Sequence, residues 1–415
     1  MKKDKTPLFC RDFTLVVIGQ IISLFGNAVL RFALPLYLLR ETGSPALFGA
    51  VGAAALVPAV LCSPVGGVVA DRVNKGRIMA ALDFATAGLV LVFALLLGRL
   101  PLVPLMAVCL MLLYGIAGAY QPAVQASIPL LAGEDRLTSA NAVINMVSTL
   151  SGLLGPVIGG VLFGAFGIRP ILWVSTACFL LSAVMELFLR IPHQPRGTEG
   201  GVLYTVGRDL AGSWRFIRRE RPVFLSVTVV LCLFNLVLSA ALIVGIPVAV
   251  VQVLGLDDLR LGVTQAAMGL GGLLGGGIAA VLGERLRLRR GGVLLAAASL
   301  TVAGMGAALL PGTAPLTGWW VVTAMSAGMM ALATVLTVLL TAAVQRQTPP
   351  EFLGKVMAFL TAAANCASPL GQAAYGALFE GLPAWTVLMG AAMAAVLVSA
   401  YSSRVFRALE GPLPG

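Results

Sequence analysis

Four polar side chains recur every three or four residues in the first long apolar stretch of this sequence. They are Gln20, Ser23, Asn27 and Arg31. Residues at this spacing share one face of an α-helix. Amide, hydroxyl and guanidinium groups on one face can hydrogen-bond a small organic solute and attract its anionic groups. They include no nucleophile paired with a base, so the pattern indicates binding and argues against an enzyme.

Further polar positions occur in the later apolar stretches, several of them at helical spacing. Those that we predict to contact a solute are Gln121, Gln125, Asn145, Asn235, Ser239, Asn365 and Gln372. Together with the first stripe they would line a substrate cavity. The alternative is that such side chains hydrogen-bond neighbouring helices to one another. That alternative suits a single Ser or Thr better, whereas Gln and Asn on several helices favour a cavity.

Arg31 carries a formal charge well inside an apolar stretch. It lies about 27 Å of helix beyond Phe13, which corresponds to the outer third of a bilayer. One role for it is to extend to the outer headgroups of the lipid. The other is to face the cavity, where it would attract anionic substrate groups or pair with Glu41 or Glu380 as an outer gate. Its continuity with the stripe through Asn27 favours the cavity.

Four carboxylates lie near the ends of apolar stretches: Asp83, Glu186, Glu41 and Glu380. Transport driven by protons needs a carboxylate or a histidine that titrates within the membrane, so these are the candidate coupling acids, with Asp83 first. The other role for Asp83 is a salt bridge to a cation of the loop before it. The six cysteines are dispersed and His193 lies in a polar segment, so we predict neither a metal site nor a cofactor.

The composition identifies the elements that must position these residues. Only 11% of the 415 residues are charged and 59% are hydrophobic, whereas a soluble domain has about 25% charged residues. Such a chain cannot cover a water-exposed surface. The sequence therefore predicts an all-α protein that crosses a lipid bilayer many times.

Twelve predicted spans fit the chain at roughly 20 apolar residues per crossing. They cover 12–39, 45–70, 77–98, 102–131, 137–166, 170–190, 222–250, 259–283, 291–311, 316–346, 352–380 and 384–403. The predicted domains are an N-terminal six-helix half at 1–190, a cytoplasmic linker at 191–221 and a C-terminal six-helix half at 222–415. In the linker we predict a basic amphipathic helix on the inner leaflet, with a disordered connection as the alternative.

The net charge of +11 is distributed as expected for a membrane protein and does not indicate a nucleic-acid partner. The Lys and Arg residues outside the predicted cytoplasmic segments are Arg31, Arg40, Arg99, Arg169 and Arg260. This asymmetry follows the positive-inside rule. It predicts both termini in the cytoplasm, and a multi-pass protein of the plasma (inner) membrane.

The loop between the second and third spans carries clustered charge: Gly67, Asp71, Arg72, Lys75 and Arg77. Its pattern resembles the loop signature of the major facilitator superfamily. The resemblance implies the major facilitator fold and a conformational latch, in which Asp71 contacts the start of the eleventh helix and its dipole. The alternative is a basic cytoplasmic loop with no further role.

Two sequence landmarks recur in the second half and indicate duplication. The Asp71–Arg72 pair recurs as Glu284–Arg285, which we assign to the latch as well. A glycine pattern that includes Gly155 recurs at Gly371, 216 residues later. Transporters built from repeated halves hold substrate between the repeats and work by alternating access.

The fifth span carries serial small residues around a proline: Ser151, Gly155, Pro156, Gly159 and Gly160. This run resembles the antiporter motif of the superfamily, with Ser151 where its first glycine usually stands. The resemblance implies export. The alternative is close packing of small residues, which is common in membrane helices.

Several short motifs of the N-terminal half resemble those of macrolide-efflux-type exporters. They are Gly19-Gln20-x-x-Ser23-Leu24, Glu41-Thr42-Gly43-Ser44, Ala81-Leu82-Asp83, Gln121-Pro122-Ala123 and Leu137-Thr138-x-Ala140-Asn141. The sequence departs from proton-coupled exporters at Asn27, where a carboxylate is common, and in lacking a buried arginine on the fourth span.

The resemblance implies a secondary active exporter of small amphipathic organic compounds, which we expect to work as a monomer. The alternative substrate is an endogenous anionic amphiphile such as a siderophore or lysolipid. A membrane receptor or scaffold on the same fold is a further alternative, which the short loops disfavour.

Overall fold

The computed structural model describes residues 10–132, 136–189, 191, 217–218, 221–282, 285–286 and 288–409, without the side chains of 64–65, 67–68, 70–72 and 350–351. This part of the chain is almost entirely helical. The helices are α1 (Arg11–Thr42), α2 (Pro45–Arg72), α3 (Lys75–Leu96), α4 (Leu102–Ala132), α5 (Leu137–Phe166), α6 (Ile168–Leu187), α7 (Val223–Val253), α8 (Asp258–Leu282), α9 (Gly291–Ala307), α10 (Pro315–Gln347), α11 (Pro350–Gly381) and α12 (Ala384–Leu409). In a bilayer a helix satisfies its own backbone hydrogen bonds, which is why apolar stretches of this length adopt it.

The twelve predicted spans coincide with these twelve helices, so the predicted fold class is confirmed. The largest difference is at the C-terminal end of α12, which continues to Leu409 instead of stopping at 403. Its extra turns carry Arg404 and Arg407, so they extend an apolar span with an amphipathic end. Of the described helices, eleven are long and apolar enough to cross a membrane. In α11 the polar residues Asn365, Ser368 and Gln372 lower the mean hydropathy.

α7 departs from regular α-helical geometry twice. Residues Asn235–Ser239 and Val248–Val253 form π-helical stretches. The Asn235 side chain donates to the carbonyl of Leu231 at 3.1 Å, which satisfies its amide within its own helix. Short π-helical stretches are rare and frequently occur at functional sites.

The chain divides into two compact units. Unit 1 contains Met1–Arg40 and Ala54–Leu203, and unit 2 contains Glu41–Ala53 and Tyr204–Gly415. The domain boundaries predicted at 190 and 222 stay a prediction. The amphipathic helix predicted in the linker lies outside the described residues, apart from Ile217 and Arg218.

Glycines bring the helices of unit 1 into close contact. A Cβ atom added at Gly155 of α5 would lie 2.4 Å from the Cβ of Ala28 on α1, and one added at Gly66 of α2 would lie 2.5 Å from the Cα of Ala119 on α4. Lipid tails are as apolar as the helix surfaces, so the hydrophobic effect does not drive helices together within a bilayer. Close van der Waals packing of this kind is therefore a main source of helix association.

Glycines also bring the corresponding helix pairs of unit 2 into close contact. A Cβ atom added at Gly371 of α11 would lie 2.5 Å from the carbonyl oxygen of Leu236 on α7, and one added at Gly275 of α8 would lie 2.3 Å from that of Ala331 on α10. The pair α5 and α1 therefore corresponds to α11 and α7. The duplication predicted from Gly155 and Gly371 is thus visible in the packing of the helices.

Burial also repeats, with the same displacement of 216 residues. Buried positions of α3, α4 and α6 have buried equivalents in α9, α10 and α12. Such pairs are Met79 and Leu295, Asp83 and Ser299, Tyr120 and Leu336, Phe179 and Ala395, and Glu186 and Ser402. The two units therefore share a packing scheme but fill several equivalent positions with different chemistry.

Candidate functional site

A buried polar cluster lies among α1, α4 and α6 of unit 1. The side-chain amide of Gln20 donates to the hydroxyl of Tyr120 at 2.6 Å. That hydroxyl donates to Oε1 of Glu186, also at 2.6 Å. Gln20 is 1% exposed and Glu186 is 2% exposed. A chain of hydrogen bonds therefore reaches a carboxylate in the interior of the unit, where such bonds reinforce one another.

A second buried carboxylate, Asp83 of α3, belongs to the same cluster. The hydroxyl of Ser23 on α1 donates to its Oδ1 at 3.1 Å, and the Ser182 hydroxyl of α6 also faces it. The charges of Asp83 and Glu186 are close enough to interact. Gly19 lies beside both Ser182 and Glu186: a Cβ atom added there would be 3.5 Å from the Ser182 hydroxyl and 3.9 Å from Oε1 of Glu186. Asp83 is thus hydrogen-bonded by serine, and it forms no ion pair with Lys75 or Arg77, the loop cations whose side chains the structure describes.

Three acceptor oxygens of this cluster have no hydrogen-bond partner. They are Oε1 of Gln20, Oδ2 of Asp83 and Oε2 of Glu186. Unsatisfied buried polar atoms are few in proteins, and each calls for an explanation such as a ligand or a catalytic role. Among the described residues, no group donates a hydrogen bond to these three oxygens.

The predicted stripe on α1 is divided by the structure. Gln20 and Ser23 lie in the buried cluster, so they do not border open space here. Farther along the helix, Asn27 has a buried and unpartnered Oδ1, and Arg31 is exposed. The guanidinium of Arg31 lies over the ring of Tyr114 on α4, 4.0 Å from its centroid. Such a stacked guanidinium keeps hydrogen-bond donors available for an anionic group.

The other cavity residues predicted in unit 1 are exposed. They are Gln121, Gln125 and Asn145. Their accessibility is compatible with contact to a solute, and that role stays a prediction.

An apolar cavity of about 440 Å³ lies among α7, α8 and α10 of unit 2. It is lined by Phe234, Ser239, Leu242, Ile243, Met268, Met329, Met330, Ala333, Thr334, Thr337 and Val338. The hydroxyls of Thr334 and Thr337 donate to the carbonyls of Met330 and Ala333 in their own helix. The cavity therefore presents methyl groups and thioethers to whatever enters it.

Of the predicted cavity residues in unit 2, the one that lines this cavity is Ser239. Asn235 bonds its own helix, and Asn365 is exposed. Gln372 is buried and donates to the Ser368 hydroxyl at 3.2 Å. Sequence reasoning missed the methionines, since in a chain with 14 Met and 59% hydrophobic residues an apolar lining has no contrast with its surroundings.

The two remaining candidate acids lie near the start of α2 and the end of α11. Glu380 accepts hydrogen bonds from the hydroxyl of Ser44 at 2.8 Å and from the backbone N–H of Ala46 at 3.2 Å. It therefore binds the N-terminus of α2, where the helix dipole favours negative charge. Glu41 is exposed.

The predicted latch falls largely outside the described side chains. Those of Gly67, Asp71, Arg72 and Glu284 are not described. Among the other latch residues, Lys75 is buried, whereas Arg77 and Arg285 are exposed. The loop is closed by Asn74, whose side chain accepts from the backbone N–H of Arg77 at 3.3 Å and caps α3. The latch itself stays a prediction.

The motif on α5 lies against α1. Gly155 contacts Ala28, and a Cβ atom at Gly159 would lie 2.9 Å from the Phe32 ring. Ser151 and Gly160 are buried on the same helix, and Pro156 interrupts its hydrogen bonding. These contacts are those of small-residue packing, and the implied link to export stays a prediction.

The sequence comparisons identify the family of this bundle of membrane helices. Residues 16–372 match the family model of the Major Facilitator Superfamily, and the chain belongs to that family. It is 24% identical over 392 residues to macrolide efflux protein A of Streptococcus pyogenes, covering 91% of this chain and 92% of that protein. The predicted resemblance is therefore confirmed.

Two further comparisons concern substrate and fold. The chain is 25% identical over 374 residues to the enterobactin exporter EntS of Shigella boydii, which covers 88% of this chain and 85% of the exporter. Among solved structures, it resembles the nucleoside transporter NupG with a TM-score of 0.75 at 12% identity, over 96% of this chain and all of that one. At that identity the likeness concerns the fold alone.

Proposed function

We propose that this protein exports amphipathic organic compounds across the inner membrane by alternating access. The observation that carries the proposal is the methionine-lined cavity of unit 2. Methionine side chains are flexible and polarizable, so they adapt to apolar groups of different shapes. A cavity with few fixed polar groups selects for hydrophobic surface and size instead of for one hydrogen-bonding pattern. The similarity to a macrolide efflux protein supports the same direction of transport.

Val338 and Val281 provide a matched pair for testing this proposal. Val338 lines the cavity, whereas Val281 is 79% exposed on α8. We expect Val338→Phe to reduce efflux of radiolabelled erythromycin, because the larger ring fills the cavity, and Val281→Phe to leave efflux unchanged. Initial efflux rates from preloaded cells at matched expression measure both. Equal efflux rates in the two variants would show that the substrate does not pass through this cavity.

A second candidate substrate is an anionic amphiphile, which the pair of Arg31 and Tyr114 favours. The exposed guanidinium would bind a carboxylate or another anionic group of the substrate, while the tyrosine ring would contact its apolar part. The similarity to an enterobactin exporter supports this alternative. We expect Arg31→Gln to reduce efflux of an anionic dye, carboxyfluorescein, more than efflux of the cation ethidium. Arg99→Gln, at an exposed arginine outside the helices, is the control. Equal effects of Arg31→Gln on both dyes would indicate that Arg31 contacts lipid headgroups and not the substrate.

The distribution of basic residues supports cytoplasmic termini, with the six-helix halves on either side of a cytoplasmic linker. In this scheme the loop of Asp71 and its counterpart at Glu284 hold the cytoplasmic ends of the helices together in one state of the cycle. Cysteine labelling from the two sides of the membrane, at positions introduced near residues 5 and 410, tests the orientation. Labelling from the periplasmic side would overturn it.

A further inference from the structure

We propose that Asp83 and Glu186 together hold one exchangeable proton, whose movement across the membrane drives export. Tyr120 is the positioning residue of this site. The inference rests on the proposed function for its role in transport. The site itself follows from the geometry of the buried cluster.

The cluster concentrates acidic groups, among the residues that the structure describes. Its titratable groups are Asp83 of α3, Tyr120 of α4 and Glu186 of α6, and its other polar groups are neutral. Neither carboxylate forms an ion pair among the described residues. The described basic residues of α3 are Lys75 and Arg77, eight and six residues earlier, which is about 12 and about 9 Å along the helix. Two unpaired carboxylates so deeply buried cannot both stay ionised, so they share a proton.

The unpartnered oxygens of the cluster are the acceptors available to that proton. Gln20, Asp83 and Glu186 each leave one acceptor oxygen without a donor, and all three side chains are at least 97% buried. A protonated carboxyl supplies one donor to such a group of acceptors. A metal ion such as Ca²⁺ requires six to eight oxygen ligands, and the described residues contain no group of three or more His, Cys, Asp or Glu that could hold a metal ion.

Unit 2 shows that the fold does not require these carboxylates. The equivalent positions hold Ser299, Ser402 and Leu336 in place of Asp83, Glu186 and Tyr120, and all are buried. Ser299 bonds the carbonyl of Leu295 in its own helix. The same helix pair thus packs with small and apolar residues. Because buried carboxylates carry a desolvation penalty, their presence in unit 1 indicates a function beyond packing.

Two helices, α1 and α4, connect the cluster to the site proposed for anionic groups. α1 carries Gln20 at one point and Arg31 about three turns later, while α4 carries Tyr120 and Tyr114 at the corresponding points. A change of charge in the cluster therefore acts on the two helices that hold the Arg31–Tyr114 pair. In each cycle one proton enters from one side of the membrane and the same proton leaves to the other. The net charge of the two carboxylates is therefore minus one in the buried cluster described here and minus two only after the cluster opens to water.

The proton can be detected without any substrate. We expect infrared difference spectra of the purified protein, recorded between low and high pH, to contain a carbonyl band of a protonated carboxyl group. Asp83→Asn and Glu186→Gln should each remove or shift this band, and Tyr120→Phe should shift it by removing one hydrogen bond while keeping the ring. Asp257→Asn, at an exposed acid outside the cluster, is the matched control. An unchanged band in all three cluster variants would overturn the proposal.

Transport assays separate this inference from the proposed function. In proteoliposomes with radiolabelled erythromycin, we expect Asp83→Asn and Glu186→Gln to lose accumulation driven by a pH gradient but to retain exchange of labelled for unlabelled substrate. If the unaltered protein moves erythromycin in neither assay while the infrared band behaves as expected, the proposed substrate is wrong and the proton site stands. Driving by a sodium gradient alone, or full coupling in both variants, would overturn the proton site.

Discussion

The interiors of units 1 and 2 differ in chemistry although their helices pack alike. Unit 1 places two carboxylates, a tyrosine and a glutamine where α1, α3, α4 and α6 meet. Unit 2 fills the equivalent positions of α9, α10 and α12 with serine and leucine, and it has an apolar cavity among α7, α8 and α10. The glycine contacts that hold the helices together are common to both. The way the helices pack therefore does not depend on whether these buried positions hold polar or apolar side chains.

Exchanging the two chemistries should have the largest effect. The double variant Asp83→Ser with Glu186→Ser gives unit 1 the residues of unit 2. We expect it to fold, because removing buried carboxylates relieves their desolvation, and to lose transport driven by a pH gradient. Size-exclusion profiles, thermal unfolding and proteoliposome transport measure these outcomes.

The reverse exchange sharpens the same comparison. Ser299→Asp with Ser402→Glu should destabilise the protein by ~1–3 kcal/mol, since Leu336 offers no hydroxyl to the new carboxylates. Failure of the unit 1 double variant to fold, with tolerance of the unit 2 exchange, would show that the carboxylates of unit 1 serve its packing.

The shared glycine contacts should respond alike in the two units. Gly155→Ala would place a Cβ atom 2.4 Å from that of Ala28, and Gly371→Ala would place one 2.6 Å from that of Ala240. We expect each to lower the free energy of unfolding by ~1–3 kcal/mol through overpacking. Gly152→Ala is the control, because a Cβ atom there has no neighbour within 4 Å. Thermal unfolding measures all three, and a strong effect in one unit alone would contradict equivalent packing.

The duplicated loops allow a comparison of the latch. We expect Asp71→Asn to reduce transport strongly at normal membrane expression, because the neutral side chain loses its interaction with a helix dipole, worth ~0.3–2 kcal/mol. An energy of this size shifts a balanced two-state equilibrium. Glu284→Gln should act in the same direction if the second loop is a true counterpart. Normal transport rates in both variants would show that these loops have no role in the transport cycle beyond setting the orientation of the helices in the membrane.

The contact between α11 and the start of α2 should have the smallest effect. Glu380→Gln keeps an acceptor for Ser44 and the Ala46 N–H but removes the charge, so we expect a loss of ~0.3–1 kcal/mol at this exposed helix end. Coupling to the pH gradient should be unaffected. Glu41→Gln serves as the control in the same thermal unfolding and transport assays. If Glu380→Gln abolished transport driven by the pH gradient, the proton site would have to include Glu380 and not Asp83 and Glu186 alone.

The sequence by itself determined the membrane class, the twelve helices and the family. Long apolar stretches separated by short polar loops have few structural solutions in a bilayer, because backbone groups must be satisfied within each span. The signature around Asp71 and the repeated glycines of α5 and α11 then specify one family of such bundles. These features depend on local sequence and survive without knowledge of any distant contact.

Only the tertiary structure decided which polar residues meet. Gln20 and Arg31 share one stripe in the sequence, yet Gln20 lies in a buried cluster and Arg31 is exposed beside Tyr114. Tyr120 gave no signal of its own, and Asp83 and Glu186 stood as separate candidates at the ends of two helices. Their association depends on the rotation of α1, α3, α4 and α6 about their axes, which packing against neighbours fixes. The methionine cavity depends on the same packing, because apolar residues become a site only where helices leave space between them.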